Sequence, residues 1–290
     1  MEQISKKFNS VNVESNILYI IATPIGNLAD ISIRALKVLS SLDIIFCEDT
    51  RVTKKLLKNY DIKPKKLLVY NDQSTQKHRQ LIIDKIKHSK NKIGLVSDAG
   101  TPLISDPGYK LVKECIKNMI KITHLPGASS LTSSLVLSGL PSNNFFFGGF
   151  LEKGKVKRKK QLENALNLKF TSLWYESPNR LNETLKLIIQ IDNNALISVL
   201  RELTKLNEEV LIGSPSHIYH QISKKTKLKG EIVLVISNNN QIQYTKNMIL
   251  DLIKQDYSKL STKELAIHIS NKTGLPKKII YNKIIEYKSK

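Results

Sequence analysis

The sequence predicts an α/β fold of two domains with a small helical extension at its C-terminus. Short β-rich runs alternate with amphipathic segments over the first 125 residues, the pattern of a mostly parallel sheet covered by helices. From Phe145 the texture changes to aromatic and β-branched runs with fewer helices between them, which reads as a second α/β domain with a mixed sheet. Beyond Met248 the chain looks helical as far as Tyr287. The implied bounds are a leader at 1–16, α/β domains at 17–127 and 128–236, a linker at 237–245 and an appendage at 246–290.

In the first domain the expected strands are Ile17 to Ala22, Asp43 to Cys47, Lys66 to Tyr70, Lys92 to Ser97 and Lys121 to Leu125. Between them Ile33, Leu36, Leu39 and Leu42 share one helical face, as do Leu81, Ile82 and Ile86. In the second domain strands are expected at Phe145 to Phe150, Ser172 to Glu176, Ala195 to Leu200, Glu209 to Gly213 and Glu231 to Ile236. Helices are expected at Lys157 to Leu168, Pro178 to Ile191 and Pro215 to Lys224. The polar, Asn- and Gln-rich stretch Ser237 to Tyr244 reads as a linker. In the tail, Ser261 and Glu264 have capping-box spacing, and Gly274 followed by Pro276 ends one helix before another, so a helix-turn-helix-like unit is expected.

Composition narrows the function. With 41% hydrophobic and 24% charged residues the chain is globular, and its two cysteines, Cys47 and Cys115, cannot build a disulfide framework. No Cys/His spacing suits zinc, and the six histidines suggest neither a metal site nor a triad, so no metal is expected. No run approaches the roughly 18 apolar residues of a membrane span; the first, Ile17 to Ala22, follows a polar leader without a cleavage pattern. A reduced cytoplasm and no membrane are the expectation. The net charge of +21 and pI near 9.8 favour a polyanionic partner. Forty of the 46 basic residues are lysines, which also fits a generally Lys-rich solvated surface. The local cluster Lys153, Lys155, Lys157, Arg158, Lys159 and Lys160 is expected to contact phosphates, or else to be a soluble loop. The tail is basic too, with ten lysines against four acids over 246–290.

Three strand-to-helix loops are rich in Gly and Pro: TPIGN at Thr23 to Asn27, DAGTPLISDPG at Asp98 to Gly108, and PGASS at Pro126 to Ser130. The carboxyl ends of strands face the ligand crevice of an open α/β sheet, so these loops should converge there. None matches GxGxxG with a following acid or GxxxxGK[ST], which counts against the dinucleotide and Walker phosphate sites. Asp98 ends a strand and suits a ligand hydroxyl or ammonium, or caps its loop. Glu48, Asp49 and Arg51 suit handling of a proton or cation, or a capped helix start. Arg201 and Glu202 end another strand and suit an internal ion pair. Tyr175 follows Trp174, the single tryptophan, where a base could stack or an aromatic core could sit.

Taken in order, LYIIATPIGNLADISIRALKVL, FCEDTRVTKKLL, GLVSDAGTPLISDPGYKLV, LPGASS, SGLPSNNFFFGGFL, WYESPNRL, RELTKLNEEV and KGEIVLVI resemble the blocks of the bacterial 16S rRNA (cytidine 2'-O)-methyltransferases. These belong to the tetrapyrrole methylase superfamily, and the resemblance runs from about Leu18 to Ile236. It implies a tetrapyrrole-methylase-like fold, S-adenosylmethionine bound between the two domains, a homodimer, and 16S rRNA or the small ribosomal subunit as partner. By position the methyl donor is expected at Pro24, Ile25 and Gly26, at Asp98, Gly100 and Thr101, at Gly127, Ala128 and Ser129, and at Tyr175 and Gly230. Glu48, Asp49 and Glu202 are then candidate bases or relay partners, with Arg51 and Arg201 positioning a phosphate or those acids. Three positions depart from the family pattern: Ala128 stands for a frequent Pro, Glu152 for the Pro usual after GFL, and Asn179 for His. The last argues against an essential base at that position. The alternatives are a methylase of a tetrapyrrole or other small metabolite, and a nonenzymatic helix-turn-helix nucleic-acid binder.

Overall fold

A computed structural model describes residues 12–225, 227–237, 246–256, 260–273 and 276–288. Most of the expected leader, the linker after Ser237, and Gly274 lie outside the described residues.

The first sheet contains β1 (Ile17–Ile21), β2 (Ile44–Cys47), β3 (Lys66–Val69), β4 (Ile93–Val96) and β5 (Lys121–Leu125), in the order β3-β2-β4-β1-β5. Every pairing is parallel. Alternation along the strands sends side chains to two different cores. Ile17, Tyr19 and Ile21 of β1 join Ile45 and Cys47 of β2 on one face, covered by Ala35, Val38 and Leu39 of α1 (Ile33–Ser41). Leu18, Ile20, Ile44 and Phe46 occupy the other face. There they meet Ile82, Ile83 and Ile86 of α3 (Gln76–His88) and Leu111 and Cys115 of α4 (Tyr109–Lys117). Both cysteines are buried and free.

The second sheet contains β6 (Phe145–Phe150), β7 (Thr171–Glu176), β8 (Leu196–Arg201), β9 (Glu209–Gly213) and β10 (Ile232–Ser237), in the order β6-β7-β10-β8-β9. Only β6 and β7 run parallel; the other pairs are antiparallel. One face packs Trp174, Leu234 and Ile236 against α6 (Lys155–Leu166), α7 (Pro178–Ile191) and α8 (Pro215–Ser223). The opposite face brings Leu173, Val233 and Val235 against Ile25 of the first Gly-Pro loop and Leu135 of α5 (Ser130–Leu137). Both sheets therefore belong to one compact unit ending at Ser237.

The elements fall where the sequence places them, with three instructive differences. The helix expected from Lys157 begins at Lys155, because Gly154 serves as its N-cap and lets the basic run wind into the first turns. Helix α2 (Thr50–Lys58) follows β2, and α4 and α5 follow the second and third Gly-Pro loops; periodicity does not mark them, because each buries only two residues. The tail, expected as a helix-turn-helix-like unit, carries three helices among the described residues.

The tail, described by itself, forms a separate unit of three helices: α9 (Lys246–Asp256), α10 (Thr262–Thr273) and α11 (Lys277–Lys288). Ile249, Ile253, Leu265, Ile269, Ile280 and Ile284 make its core. The Ser261 and Glu264 box closes as its spacing suggests: Ser261 N donates to Glu264 Oε2 at 3.0 Å and Glu264 N donates to Ser261 Oγ at 3.3 Å.

Candidate active site

Strand order fixes where a ligand crevice opens. The chain leaves β1 toward β2 and leaves β4 toward β5 in opposite directions across the sheet, so the neighbours β1 and β4 flank a topological switch point. The loops TPIGN and DAGTPLISDPG emerge there. Thr23 N donates to Gly100 O at 2.8 Å and Gly100 N returns the bond to Thr23 O at 3.1 Å. Thr101 Oγ1 donates to Ala128 O at 3.3 Å, which ties the second loop to the third. The three loops thus converge through their own hydrogen bonds. Gly100 has φ +78°, a conformation that a side chain would strain, and this lets the backbone make the reciprocal pair with Thr23.

The second sheet closes the crevice into a cavity of about 400 Å³, within the range of small-molecule sites. The loops after β1 and β4 contribute Ile25, Asp98, Ile104 and Asp106; the second sheet and its loops contribute Phe150, Tyr175, Leu203, Gly230 and Val233, and Ser130 stands at the junction between them. Across that junction Ser130 Oγ and Tyr175 OH share a hydrogen bond of 2.7 Å. Of the expected donor residues, Ile25, Asp98, Tyr175 and Gly230 line the cavity. Pro24, Gly26, Gly100, Thr101, Gly127, Ala128 and Ser129 belong to the converging loops but are not on its wall. Trp174 is core, as strand alternation requires once Tyr175 faces the cavity.

Acids dominate the polar part of the wall. Burial first, then the neighbouring charge of Glu48, pushes the Asp106 carboxyl up to about 6, against a hydrogen bond from Ser97 that favours the ionised form. Burial also raises Asp98, partly offset by the bond that Asp49 N donates to Asp98 Oδ1 at 3.2 Å. Desolvation and the charges of Asp98, Asp72 and Asp49 raise Glu48, which sits at the end of β2 outside the cavity wall. Among the described residues no group of three or more His, Cys, Asp or Glu could hold a metal, and no helix is long and apolar enough to cross a membrane.

Several expected roles change. Asp49 caps α2 by accepting from Arg51 N at 2.8 Å and pairs with the Arg51 guanidinium at 2.6 Å; that contact holds its carboxyl at about 2. The capped helix start is therefore what the geometry realises for Asp49 and Arg51. Arg201 and Glu202 do not pair with each other. Arg201 Nε meets Glu209 at 3.0 Å, while Glu202 Oε1 accepts from Lys205 Nζ at 2.8 Å and from Glu231 N at 3.1 Å. Glu202 lies just past the end of β8 with φ +54°, a turn of the backbone that takes its side chain away from that of Arg201. Glu202 in turn fixes the cavity rim: Gly230 has φ +97°, and a Cβ there would collide with the Glu202 carboxylate.

The basic run divides. Lys153, Lys155, Lys157, Lys159 and Lys160 are exposed, with Lys159 reaching Glu163 at 3.8 Å. Arg158 is withdrawn from any phosphate-binding face: its side chain is 1% exposed and Nη2 donates to Glu183 at 2.8 Å. Helical periodicity turns this position inward, beside Leu162. In the YESPNR segment Glu176 is buried and accepts from Ser177 N, Arg180 and Thr184 Oγ1, each at 2.6 Å. Asn179 is exposed between them, so the turn is held by Glu176 and Arg180 and does not depend on its third side chain.

Sequence reasoning passed over Asp106 and Phe150. Both stood inside quoted motifs, SDPG and GGFL, and the wall position of each follows from loop conformation.

Comparison with known proteins agrees with this fold. The pattern of the tetrapyrrole (corrin/porphyrin) methylases matches residues 17–218. A Rickettsia prowazekii protein named ribosomal RNA small subunit methyltransferase I is 47% identical over 78% of this chain and 80% of its own length. A protein of the same name from Halalkalibacterium halodurans is 38% identical over 93% of this chain and 94% of its own. Among solved structures, a cobalt precorrin-4 methyltransferase superposes with a TM-score of 0.57 at 15% identity, covering 77% of this chain and 95% of that one. A diphthine synthase does so with 0.57 at 12%, covering 76% and 89%. At such identities the last two speak for the fold alone.

Proposed function

The chain belongs to the tetrapyrrole methylase family, and from that premise we propose that it is an S-adenosylmethionine-dependent rRNA methyltransferase acting on the ribose 2'-oxygen of a cytidine in the decoding centre of 16S rRNA. The observation that carries the reading is the acid-edged, otherwise apolar cavity at the switch point of the first sheet. The residues present fit the cofactor. Asp98 and Asp106 offer carboxylates to a cationic ligand with hydroxyl and ammonium groups, while Ile25, Leu203 and Val233 offer apolar surface to its ring. The names of the curated relatives support rRNA as the substrate, and the exposed lysines of α6 support a polyanionic one. A homodimer acting in the cytoplasm belongs to the same proposal.

When bound, S-adenosylmethionine would supply an electrophilic methyl carbon to the 2'-oxygen, its sulfur taking the electron pair of the broken carbon–sulfur bond and the hydroxyl giving up its proton. The protein must align the sugar and accept that proton. Asp106, held near neutrality by burial and by Glu48, is the cavity carboxylate suited to accept it. Asp98, on the cavity wall, would hold the hydroxyl or ammonium groups of the donor. Glu202, engaged by Lys205 and Glu231, and Asp49, engaged by Arg51, keep the surrounding loops in place. A free 2'-hydroxyl restricts the substrate to RNA, and the lysines of α6 hold its phosphates.

Mass mapping of 16S rRNA from a strain lacking this gene tests the substrate. One cytidine is expected to lose its 2'-O-methyl group. An unchanged 2'-O-methyl inventory would remove the substrate assignment. A small-metabolite methylase of the same fold would leave the RNA unchanged, and a nonenzymatic binder would in addition fail to bind the donor.

A further inference from the structure

We propose that Phe150 is the stacking platform for the base of the target nucleotide; the inference rests on the methyltransferase reading above. Phe150 lines the cavity yet is 61% exposed, so its ring forms part of the mouth rather than the floor. The other aromatic ring on the wall, Tyr175, is only partly exposed and its hydroxyl is engaged by Ser130. Phe150 packs against that ring at 5.1 Å between centroids, which holds its orientation without covering its outer surface.

The backbone places the ring there by a local irregularity. Along the β6–β7 pair Phe147 faces Leu173 and Phe150 faces Tyr175, so three steps on β6 match two on β7. The extra residue falls in Gly148-Gly149, where Gly149 has φ +70°, and bulges of this kind re-aim the side chain that follows. A Cβ on Gly149 would stand 3.6 Å from Ser105 Oγ of the second loop, so the bulge leans across the crevice toward the Asp106 side.

The chemistry then assigns the occupant. For the 2'-oxygen to reach a methyl carbon inside the cavity, the ribose must enter the mouth, and the base on the adjacent sugar carbon is left at the rim. An exposed aromatic face at that rim is a sequence-tolerant stacking surface for a base. Three residues on, Lys153 begins the exposed lysines that run into α6, at most about 11 Å of chain from Phe150, which puts cations within reach of the phosphates flanking the same nucleotide. Ring and cations together fit a single extruded nucleotide of an RNA strand.

The test compares full-length wild type with Phe150→Ala, Phe150→Leu and Phe150→Tyr. It uses S-adenosylmethionine and small ribosomal subunits from a strain lacking the gene, and donor affinity is measured by calorimetry on the same samples. Phe150→Ala and Phe150→Leu are expected to lower kcat/KM for subunits on the order of 10- to 100-fold, with donor affinity within about twofold of wild type. Phe150→Tyr, which keeps the ring, is expected to recover most of that loss. A parallel fall in donor affinity would assign the ring to the donor and overturn the proposal, as would wild-type turnover by Phe150→Leu. Should Phe150→Ala fail to fold, the Leu and Tyr pair decides alone. If wild type methylates subunits and the variants match it, only this inference falls. If wild type transfers no methyl to them, the proposed function falls and takes the inference with it.

Discussion

Gly148→Ala lowers the melting temperature of the purified protein by roughly 5–10 °C, the equivalent of about 3 kcal/mol of overpacking in a unit of this size. A Cβ at this position would stand far inside contact distance of Cζ3, Cη2 and Cε3 of Trp174. That ring has nowhere to go. It is 5% exposed, its Nε1 donates to Ser172 Oγ at 3.0 Å, and Phe146 packs edge-on against it at 5.8 Å. Relief therefore requires β6 to move away from β7, which also displaces the bulge that aims Phe150. Thermal melting followed by fluorescence of Trp174, the single tryptophan, reads both the stability and the local repacking. Gly154→Ala serves as the control: no atom lies within 4 Å of a Cβ there, so its shift should stay within a degree or two. Equal melting of Gly148→Ala and wild type would contradict the packing described for this edge.

Asp106→Asn is expected to lower methyl transfer by about 10²- to 10⁴-fold, the usual contribution of a positioned acid or base, and to make the protein more heat-stable above pH 6. The two effects share one cause. The native Asp106 carboxyl is pushed up to about 6 from its ordinary value of 3.8 by burial and by Glu48. A raised carboxyl binds its proton more tightly in the folded than in the unfolded protein, so folding loses stability as pH rises from about 4 through 6. After solvent screening roughly 1 kcal/mol, or 2–4 °C, remains to be regained by a neutral Asn at pH 8. That gain should shrink as pH falls through 6 and vanish below about 4, where wild type is neutral at this position too. Catalysis runs the other way: wild-type kcat should fall about tenfold per pH unit below 6 as the base is protonated, whereas Asp106→Asn should be low and flat. A variant that kept the wild-type pH profile would remove Asp106 from the proton's path.

Much of this molecule was legible from sequence because its signals are local. The unbroken apolar run Ile17 to Ile21 reports directly on burial, as do Ile82 and Ile86, although Leu81, expected on the same face, is exposed; the strand and helix lie where the pattern indicates. The three Gly-Pro loops announced a crevice through their position after strands, and their mutual hydrogen bonds realise it. What remained hidden depends on long-range geometry. Arg158 reads as one more cation in a basic run until helical phase turns it toward Glu183. Arg201 and Glu202 look like a pair until the strand end separates them toward Glu209 and Lys205. Asp106 gains its character from burial and then from Glu48, 58 positions earlier in the chain, and no spacing rule links those two acids. Phe150 owes its place to one surplus residue in β6, visible only once the register with β7 is known.

The most direct measurement of the central claim is a transfer experiment with a deuterated methyl group. Purified protein, S-adenosylmethionine carrying a trideuteromethyl group, and small ribosomal subunits from a strain lacking the gene are incubated, and the 16S rRNA is digested to nucleosides for mass spectrometry. Label confined to 2'-O-methylcytidine is the expected result. Label on a base, on another nucleoside, or nowhere in the RNA would contradict ribose methylation by this cavity.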